Sequence, residues 1–212
     1  MSCVVALLGA ESTGKTTLAH TLAQTLVGEG RRVALVGEYL REFCDEHGRT
    51  PREDEQIGIA DEQTRRIELA ARDHDVVIAD TTALMIAVYS EIVFGDRSLY
   101  ASAEAAHREG CHLTLLTALD LPWRADGLQR DGPHVREPVD ALVRAALARA
   151  QIPWSVVFGT GSARGDAALA SVRRALAPPD GDEDTRNARW QWHCERCGDA
   201  SCERTRLPPA SR

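Results

Sequence analysis

A phosphate-binding loop near the start of the chain constrains its fold more than any other feature. Residues 9–16 read Gly-Ala-Glu-Ser-Thr-Gly-Lys-Thr, which matches the pattern G-x-x-x-x-G-K-[ST]. The apolar segment Cys3–Leu8 precedes the loop, and apolar residues spaced by three and four positions follow it. Such a pattern binds phosphate when a strand enters the loop and a helix leaves it. The sequence therefore predicts a strand, a phosphate loop and a helix in direct succession.

Each part of the loop has a physical role. Glycines let backbone N–H groups turn towards the phosphates, and the helix N-terminus adds a partial positive charge. Lys15 is expected to hold the β- and γ-phosphates of ATP, and Thr16 is expected to ligate Mg²⁺. The predicted nucleotide-binding residues are Gly9, Glu11, Ser12, Thr13, Gly14, Lys15, Thr16 and Thr17.

The basic residues of the chain single out the same lysine. Of the 25 Lys and Arg residues, 24 are Arg, and the one Lys is Lys15. A compact ammonium suits a phosphate loop better than a forked guanidinium. In a chain that otherwise uses Arg throughout, a lysine at this position favours a functional phosphate loop.

Strand-like and helix-like segments alternate along the rest of the chain. The predicted strands are residues 3–8, 32–36, 75–80, 112–117 and 154–158, and helical patterns lie between them. This alternation predicts an α/β fold, the three-layer P-loop NTPase fold with a parallel sheet, whose site lies at the carboxyl ends of the strands. We predict this domain over residues 1–177, an acidic linker over 178–188 and a short Cys-bearing tail over 189–212.

Charge and hydropathy limit the expected partners and location. The formal net charge of −7 disfavours nucleic acid as the main partner. No apolar run approaches the roughly 18 residues that a membrane span needs. The N-terminus has no basic segment typical of a signal peptide, so we expect a cytoplasmic protein that binds a small molecule. The oligomeric state stays open, a homo-oligomer included.

Several classes of phosphate-loop protein fit this sequence poorly. A GTPase that reads guanine through Asn-Lys-x-Asp needs a second lysine, which the chain lacks. There is no Leu-Ser-Gly-Gly-Gln segment of a transporter ATPase, and the chain is short for a remodelling ATPase with its lid domain. A small-molecule kinase, which needs an acceptor-side carboxylate, a Mg²⁺-linked carboxylate and an Arg-bearing lid, fits best.

Candidates exist for all three kinase elements. Glu38 follows the second predicted strand, and Asp80 ends the third strand, where a Mg²⁺-linked carboxylate belongs. Arg130 and Arg136 lie in a Gly-containing segment that precedes a predicted helix, where they could close over ATP. The predicted catalytic residues are Lys15, Glu38, Asp80, Arg130 and Arg136.

Together these motifs resemble the nicotinamide riboside kinase domain of NadR-type proteins. The resemblance covers residues 1 to about 177. It rests on the phosphate loop, on Glu-Tyr-Leu-Arg-Glu at 38–42, on Gln63, on Asp-Thr-Thr at 80–82, on Trp123-x-x-Asp-Gly-Leu and on Arg130. It implies ATP-dependent phosphorylation of the 5′-hydroxyl of ribosylnicotinamide. The chain departs from the family at Thr82, where a second carboxylate is expected, and in its Cys-bearing tail.

The acceptor is less defined by the sequence than the nucleotide. An aromatic face together with carboxylates would favour a pyridinium cation, and Tyr39 and Trp123 could supply such faces. The predicted acceptor-binding residues are Glu38, Tyr39, Arg41, Trp123 and Asp126, and the segment 89–96 could wall the same pocket. A kinase for another nucleoside or metabolite and a non-enzymatic ATP-binding regulator remain alternatives. We expect His20, His74 and His107 to lie on the surface.

The tail carries a separate pattern that favours zinc. Cys194, Cys197 and Cys202 follow the spacing C-x-x-C-x₄-C, and His193 is the nearest candidate for a fourth ligand, with Cys44, Cys111 or a partner chain as alternatives. Three thiolates in a reducing compartment suit Zn²⁺, and a metal would give a short tail a reason to fold. We expect about one Zn²⁺ per chain, lost in Cys194→Ser and Cys197→Ser with kinase activity retained. Metal analysis of protein purified without chelator checks this, and a zinc-free reduced protein would contradict it.

Overall fold

Five parallel strands form one sheet in the computed structural model, which describes residues 2–124 and 132–177. The strands are β1 (Cys3–Leu8), β2 (Val33–Val36), β3 (Val76–Asp80), β4 (Leu113–Thr117) and β5 (Ser155–Val157). They are arranged in the order β2-β3-β1-β4-β5, so β1 lies at the centre between β3 and β4. The helices are α1 (Lys15–Gly28), α2 (Tyr39–His47), α3 (Gln56–Asp73), α4 (Ala83–Phe94), α5 (Tyr100–Gly110), α6 (Arg136–Arg149) and α7 (Gly161–Leu176).

The helices cover both faces of the sheet because alternate strand residues point in opposite directions. On one face, Val5 and Leu7 of β1 pack with α1 and α7. On the other face, Val4 packs with α3, while Leu8 packs with residues of α3, α4 and α6. All of β1 is buried, as expected for a central parallel strand. The predicted three-layer α/β fold with a parallel sheet is confirmed.

A short 3₁₀ turn interrupts the helical pattern between the second and third strands. Residues Glu53–Glu55 form a separate 3₁₀ turn, and α3 starts at Gln56. The Glu55 carboxylate accepts a hydrogen bond from the Arg52 backbone N–H and forms an ion pair with Arg49. These local bonds stabilise the turn, so the regular helix α3 begins only after it.

The described residues form most of one compact unit, Met1–Leu176. The predicted linker and tail lie outside the described residues, so the domain boundaries at 177 and 188 stay predictions. In the part of the chain that the structure describes, no helix is long and apolar enough to cross a membrane.

His107 is buried in the core, which shows that the expected surface position was wrong. Only 2% of the residue is exposed. Its Nδ1 lies 3.0 Å from the Thr82 hydroxyl, and its Nε2 lies 2.8 Å from the Thr114 hydroxyl. Two hydroxyls therefore satisfy both ring nitrogens, which lets a neutral imidazole sit inside the fold.

The buried His107 predicts a loss of stability in mild acid. Burial lowers the pKa of His107 to about 4, whereas a histidine in the unfolded chain titrates near 6.5. As pH falls below about 6.5, the unfolded chain therefore binds a proton that the folded chain excludes, and stability decreases until about pH 4. From pH 7.5 to pH 5 the free energy of unfolding should fall by about 2 kcal/mol through this group.

Urea unfolding of the native protein and of His107→Gln at the two pH values checks this effect. The variant lacks the titrating ring, so its stability should change less between pH 7.5 and pH 5. An equal change in both proteins would contradict the assignment.

Candidate active site

The phosphate loop connects β1 to α1 in the geometry that anion binding requires. Gly14 caps the N-terminus of α1 in a left-handed conformation with φ 76°. A side chain at Gly14 would also come within 2.9 Å of Leu121. Lys15 begins the helix, and its Nζ donates hydrogen bonds to the carbonyls of Gly9 (2.7 Å) and Ala10 (2.9 Å). The lysine ammonium is therefore held inside the curve of the loop.

Gly9 is needed because β4 approaches the loop closely. Its φ is 144°, and an added Cβ would lie 2.1 Å from the Thr117 hydroxyl. Thr117 ends β4, donates a hydrogen bond to the Leu8 carbonyl and lies 2.7 Å from the Thr13 hydroxyl. The sequence analysis missed Thr117, although its place at the end of a predicted strand beside the loop was a usable signal.

Arg164, from the C-terminal part of the domain sequence, supports the loop. It lies in α7, only 5% of it is exposed, and its Nη2 donates a 2.7 Å hydrogen bond to the Thr13 carbonyl. Its Nη1 donates to Asp120 and to the Gly159 carbonyl, each at 3.1 Å. No local pattern distinguishes this arginine from the other 23, so the sequence analysis missed it.

The side chains of Thr16 and Asp80 are in contact at the carboxyl ends of the strands. The sequence predicted both residues as Mg²⁺ ligands. The Thr16 hydroxyl donates a 2.6 Å hydrogen bond to Asp80 Oδ2. Asp80 is 3% exposed, and its Oδ1 is buried with no hydrogen-bond partner among the described residues. A hydroxyl beside a carboxylate that has an unused buried oxygen is a donor set that suits a hard divalent cation.

Lys15 lies among the carboxylates of the site. Only 7% of it is exposed, and burial lowers its pKa, while the charges of Glu38, Asp80 and Glu11 act in the opposite direction. Burial also raises the pKa of Asp80, against the hydrogen bond from Thr16 and the charge of Lys15. Because the ammonium is poorly hydrated, its electrostatic contact with a phosphate would be strong. The neighbouring carboxylates favour its charged form.

Glu38 extends this charged cluster at the end of β2. It is the residue before α2, and its Oε2 accepts a 2.7 Å hydrogen bond from Arg41 Nε, one turn into that helix. The Glu38 side chain is 10% exposed and that of Arg41 is 37% exposed. Because the charge of Glu38 affects the pKa of both Lys15 and Asp80, the three predicted residues share one site.

Tyr89 of α4 closes one side of the acidic cluster. Its hydroxyl is hydrogen-bonded to Glu11, and burial together with the charges of Glu11 and Glu38 raises the pKa of Tyr89 far above its ordinary value. Tyr89 therefore stays protonated and can donate to a carboxylate. The predicted contribution of the segment 89–96 to the acceptor pocket stays a prediction.

A cavity of about 490 Å³ lies over the phosphate loop. Arg41, Leu121, Pro122 and Arg124 line it together with loop residues 12–17. The Arg124 backbone N–H donates a 2.7 Å hydrogen bond to the Ser12 hydroxyl. The chain at Arg124, which leads into the predicted Arg-bearing segment, therefore contacts the phosphate loop directly. The cavity is large enough to hold phosphates.

The other predicted lid residues take different positions. Arg136 is the first residue of α6, is 8% exposed and donates a 2.9 Å hydrogen bond to the Leu121 carbonyl. Arg136 therefore connects α6 to Leu121 instead of lying in the loop before the helix. Its catalytic role stays a prediction. Trp123 is half-buried, with its indole N–H unpaired among the described residues. Asp126 and Arg130 lie outside the described residues.

Tyr39 already carries a cation on one face of its ring. The Arg66 guanidinium lies 4.3 Å from the ring centroid and forms ion pairs with Glu42 and Glu62. A second cation would meet repulsion on that face, so a pyridinium could use only the opposite face of Tyr39. The sequence analysis did not foresee this stacking because Arg66 is 27 residues away.

No metal-binding cluster of His, Cys, Asp and Glu occurs within residues 2–124 and 132–177. The predicted zinc ligands His193, Cys194, Cys197 and Cys202 lie outside the described residues. Burial raises the pKa of Cys111 to about 12 and also raises the pKa of Cys44. The contribution of Cys44 or Cys111 as a fourth zinc ligand stays a prediction.

The fold and the site define the chain as a protein of the P-loop NTPase fold. The family model AAA_28, described as AAA domain, matches residues 4–164. The chain therefore belongs to this AAA domain family.

Two solved structures share the fold. One is described as NadR protein in complex with NAD and AMP-PNP, with a TM-score of 0.66 and 18% identity over 85% of this chain and 51% of that chain. The other is described as NadR protein in complex with NR, with a TM-score of 0.65 and 20% identity over 82% and 52% of the two chains. This chain thus spans about half the length of those proteins. A search of curated proteins found no match.

Proposed function

We propose that the chain is an ATP-dependent kinase that phosphorylates the 5′-hydroxyl of ribosylnicotinamide. One observation carries the proposal: the phosphate-loop lysine Lys15 lies in one charged cluster with Asp80, which we assign to the metal, and Glu38, which we assign to the acceptor. The likeness of the fold to NadR proteins, one of them bound to AMP-PNP and one to NR, supports this choice of substrates.

The residues of the site have separate roles in the proposed phosphoryl transfer. The N–H groups of the loop and the Lys15 ammonium bind the β- and γ-phosphates and stabilise the charge that spreads over the transferred group. Glu38, oriented by its hydrogen bond from Arg41, accepts the proton of the attacking hydroxyl or orients that hydroxyl. Arg41 lines the cavity over the phosphate loop, and we assign it to binding the transferred phosphoryl group.

Thr16 and Asp80 are the residues that would hold Mg²⁺. When bound, Mg²⁺ neutralises charge on the β- and γ-phosphates. The hydrogen bond between Thr16 and Asp80 orients both side chains for this role, and Asp80 Oδ1, which has no partner among the described residues, would be available to the ion.

Asp80→Asn should lower kcat about 10- to 100-fold at ordinary Mg²⁺ concentration, because the amide removes one negative charge from the metal site. Raising Mg²⁺ should recover part of the loss. Asp75→Asn is the matched control, since Asp75 precedes the same strand at its other end and pairs with the exposed Arg32. A Mg²⁺ titration of kcat in the three proteins checks this, and an equal Mg²⁺ dependence would contradict the metal role.

The acceptor is tested by ATP consumption with nicotinamide riboside and with a panel of other nucleosides. Preferred turnover with nicotinamide riboside, with formation of its 5′-monophosphate, supports the proposal. Preference for another nucleoside would replace the acceptor and leave the kinase activity in place. ATP binding without transfer to any acceptor would instead favour a regulatory protein.

A further inference from the structure

The side chain of Gln63 in α3 connects the two strand ends that carry the site carboxylates. Gln63 is fully buried. Its Oε1 accepts a 2.8 Å hydrogen bond from the Tyr39 backbone N–H, and its Nε2 donates to the carbonyls of Gly37 at 3.1 Å and Thr81 at 3.4 Å. Both ends of the amide are therefore used, and the reversed amide would place N–H against N–H and oxygen against carbonyl oxygen.

The first two bonds fix the backbone on both sides of Glu38. Gly37 precedes Glu38, and Tyr39 follows it as the first residue of α2. The N–H of Tyr39 belongs to the first turn of that helix and has no partner within the helix. Gln63 supplies that partner, so the start of α2 and the backbone of Glu38 are held against α3.

The third bond fixes the backbone immediately after Asp80. Thr81 has φ 91°, a conformation that is strained for a β-branched residue and needs support from its surroundings. Its carbonyl accepts the Gln63 hydrogen bond, and its own hydroxyl has no partner within the described part of the chain. Gln63 therefore joins the turn after β3 to the turn after β2.

We propose that Gln63 is a positioning residue that sets Glu38 on the acceptor side relative to Asp80 on the metal side. The inference rests on the proposed kinase function for the roles of those two carboxylates. A single neutral amide suits this task because it adds no charge to a site that already holds Glu11, Glu38, Asp80 and Lys15.

Gln63→Met removes the three hydrogen bonds and keeps a side chain of similar length. We expect kcat to fall about 10- to 100-fold, because small displacements of reacting groups cost this much, while the KM for ATP changes less than about threefold. The control is Gln56→Met, since Gln56 lies in the same helix, is 4% exposed and has a buried Oε1 without a partner among the described residues. That variant should keep the native kcat.

A double-mutant cycle separates positioning from general stability. If Gln63 acts through Glu38, then Glu38→Gln and the double variant Glu38→Gln/Gln63→Met should have kcat values within about threefold of each other. Multiplicative losses, or an unchanged kcat in Gln63→Met, would overturn the proposal. If Gln63→Met does not fold, Gln63→Leu serves in the same cycle, because it also removes the three hydrogen bonds and adds no charge.

A crystal structure of the Gln63 variant tests the inference independently of the reaction. We expect Glu38 to shift relative to Asp80, and an unchanged arrangement would overturn the positioning role. Failure of the native protein to phosphorylate nicotinamide riboside is a separate result that bears on the proposed function, and the cycle is then run with the acceptor that the nucleoside panel identifies.

Discussion

Lys15→Ala should lower kcat for phosphoryl transfer by about 10²-fold or more while the protein stays folded. The reason is local: the Lys15 ammonium is 7% exposed and is held over the phosphate loop by the Gly9 and Ala10 carbonyls. In this poorly hydrated place its charge acts strongly on the transferred phosphoryl group. No second lysine exists in the chain to replace it.

Initial rates of ATP consumption, with thermal unfolding as the measure of folding, test this prediction. Arg32→Ala is the matched control, because it removes a cation that is exposed and pairs with Asp75 at the opposite end of β3. That variant should keep the native kcat. Turnover near the native value in folded Lys15→Ala would contradict a role of this loop in phosphoryl transfer.

Glu38→Gln should lower kcat about 10²- to 10⁴-fold with little change in the KM for ATP. The substitution keeps the size of the side chain and removes the oxygen charge that can accept or orient the hydroxyl proton. The Glu38 side chain is 10% exposed and already oriented by Arg41, so its geometry should survive the change. In the proposed function the nucleotide phosphates contact the loop rather than Glu38, which is why ATP affinity should be retained.

Steady-state kinetics with both substrates varied separate these effects. Glu55→Gln is the matched control, because Glu55 is also a partly buried carboxylate paired with an arginine, Arg49, and it lies outside the site. An increase in the KM for ATP without a loss of kcat in Glu38→Gln would assign Glu38 to the nucleotide instead of the acceptor.

The structure also changes what is expected of the acceptor pocket. Tyr39 has Arg66 stacked on one face of its ring, so its role in holding a cation is limited to the other face. Tyr89, with its hydroxyl bonded to Glu11, places a second aromatic ring next to the acidic cluster.

The sequence by itself determined the elements and the nucleotide loop. Strand and helix patterns are local, since they depend on the spacing of apolar residues within a few turns, and all five strands appear where they were predicted. The phosphate loop is also local, because its roles are set by eight consecutive residues. Asp80 could be assigned because it ends a fully apolar strand.

Only the tertiary structure decided which of these elements meet. The strand order places β3 and β4 on either side of β1, so Asp80 reaches Thr16 and Thr117 reaches Gly9. The burial of His107 and the bond from Arg164 to the loop join residues far apart in the chain. Local patterns hold no information about such contacts, because strand order and helix packing follow from the burial of the whole core.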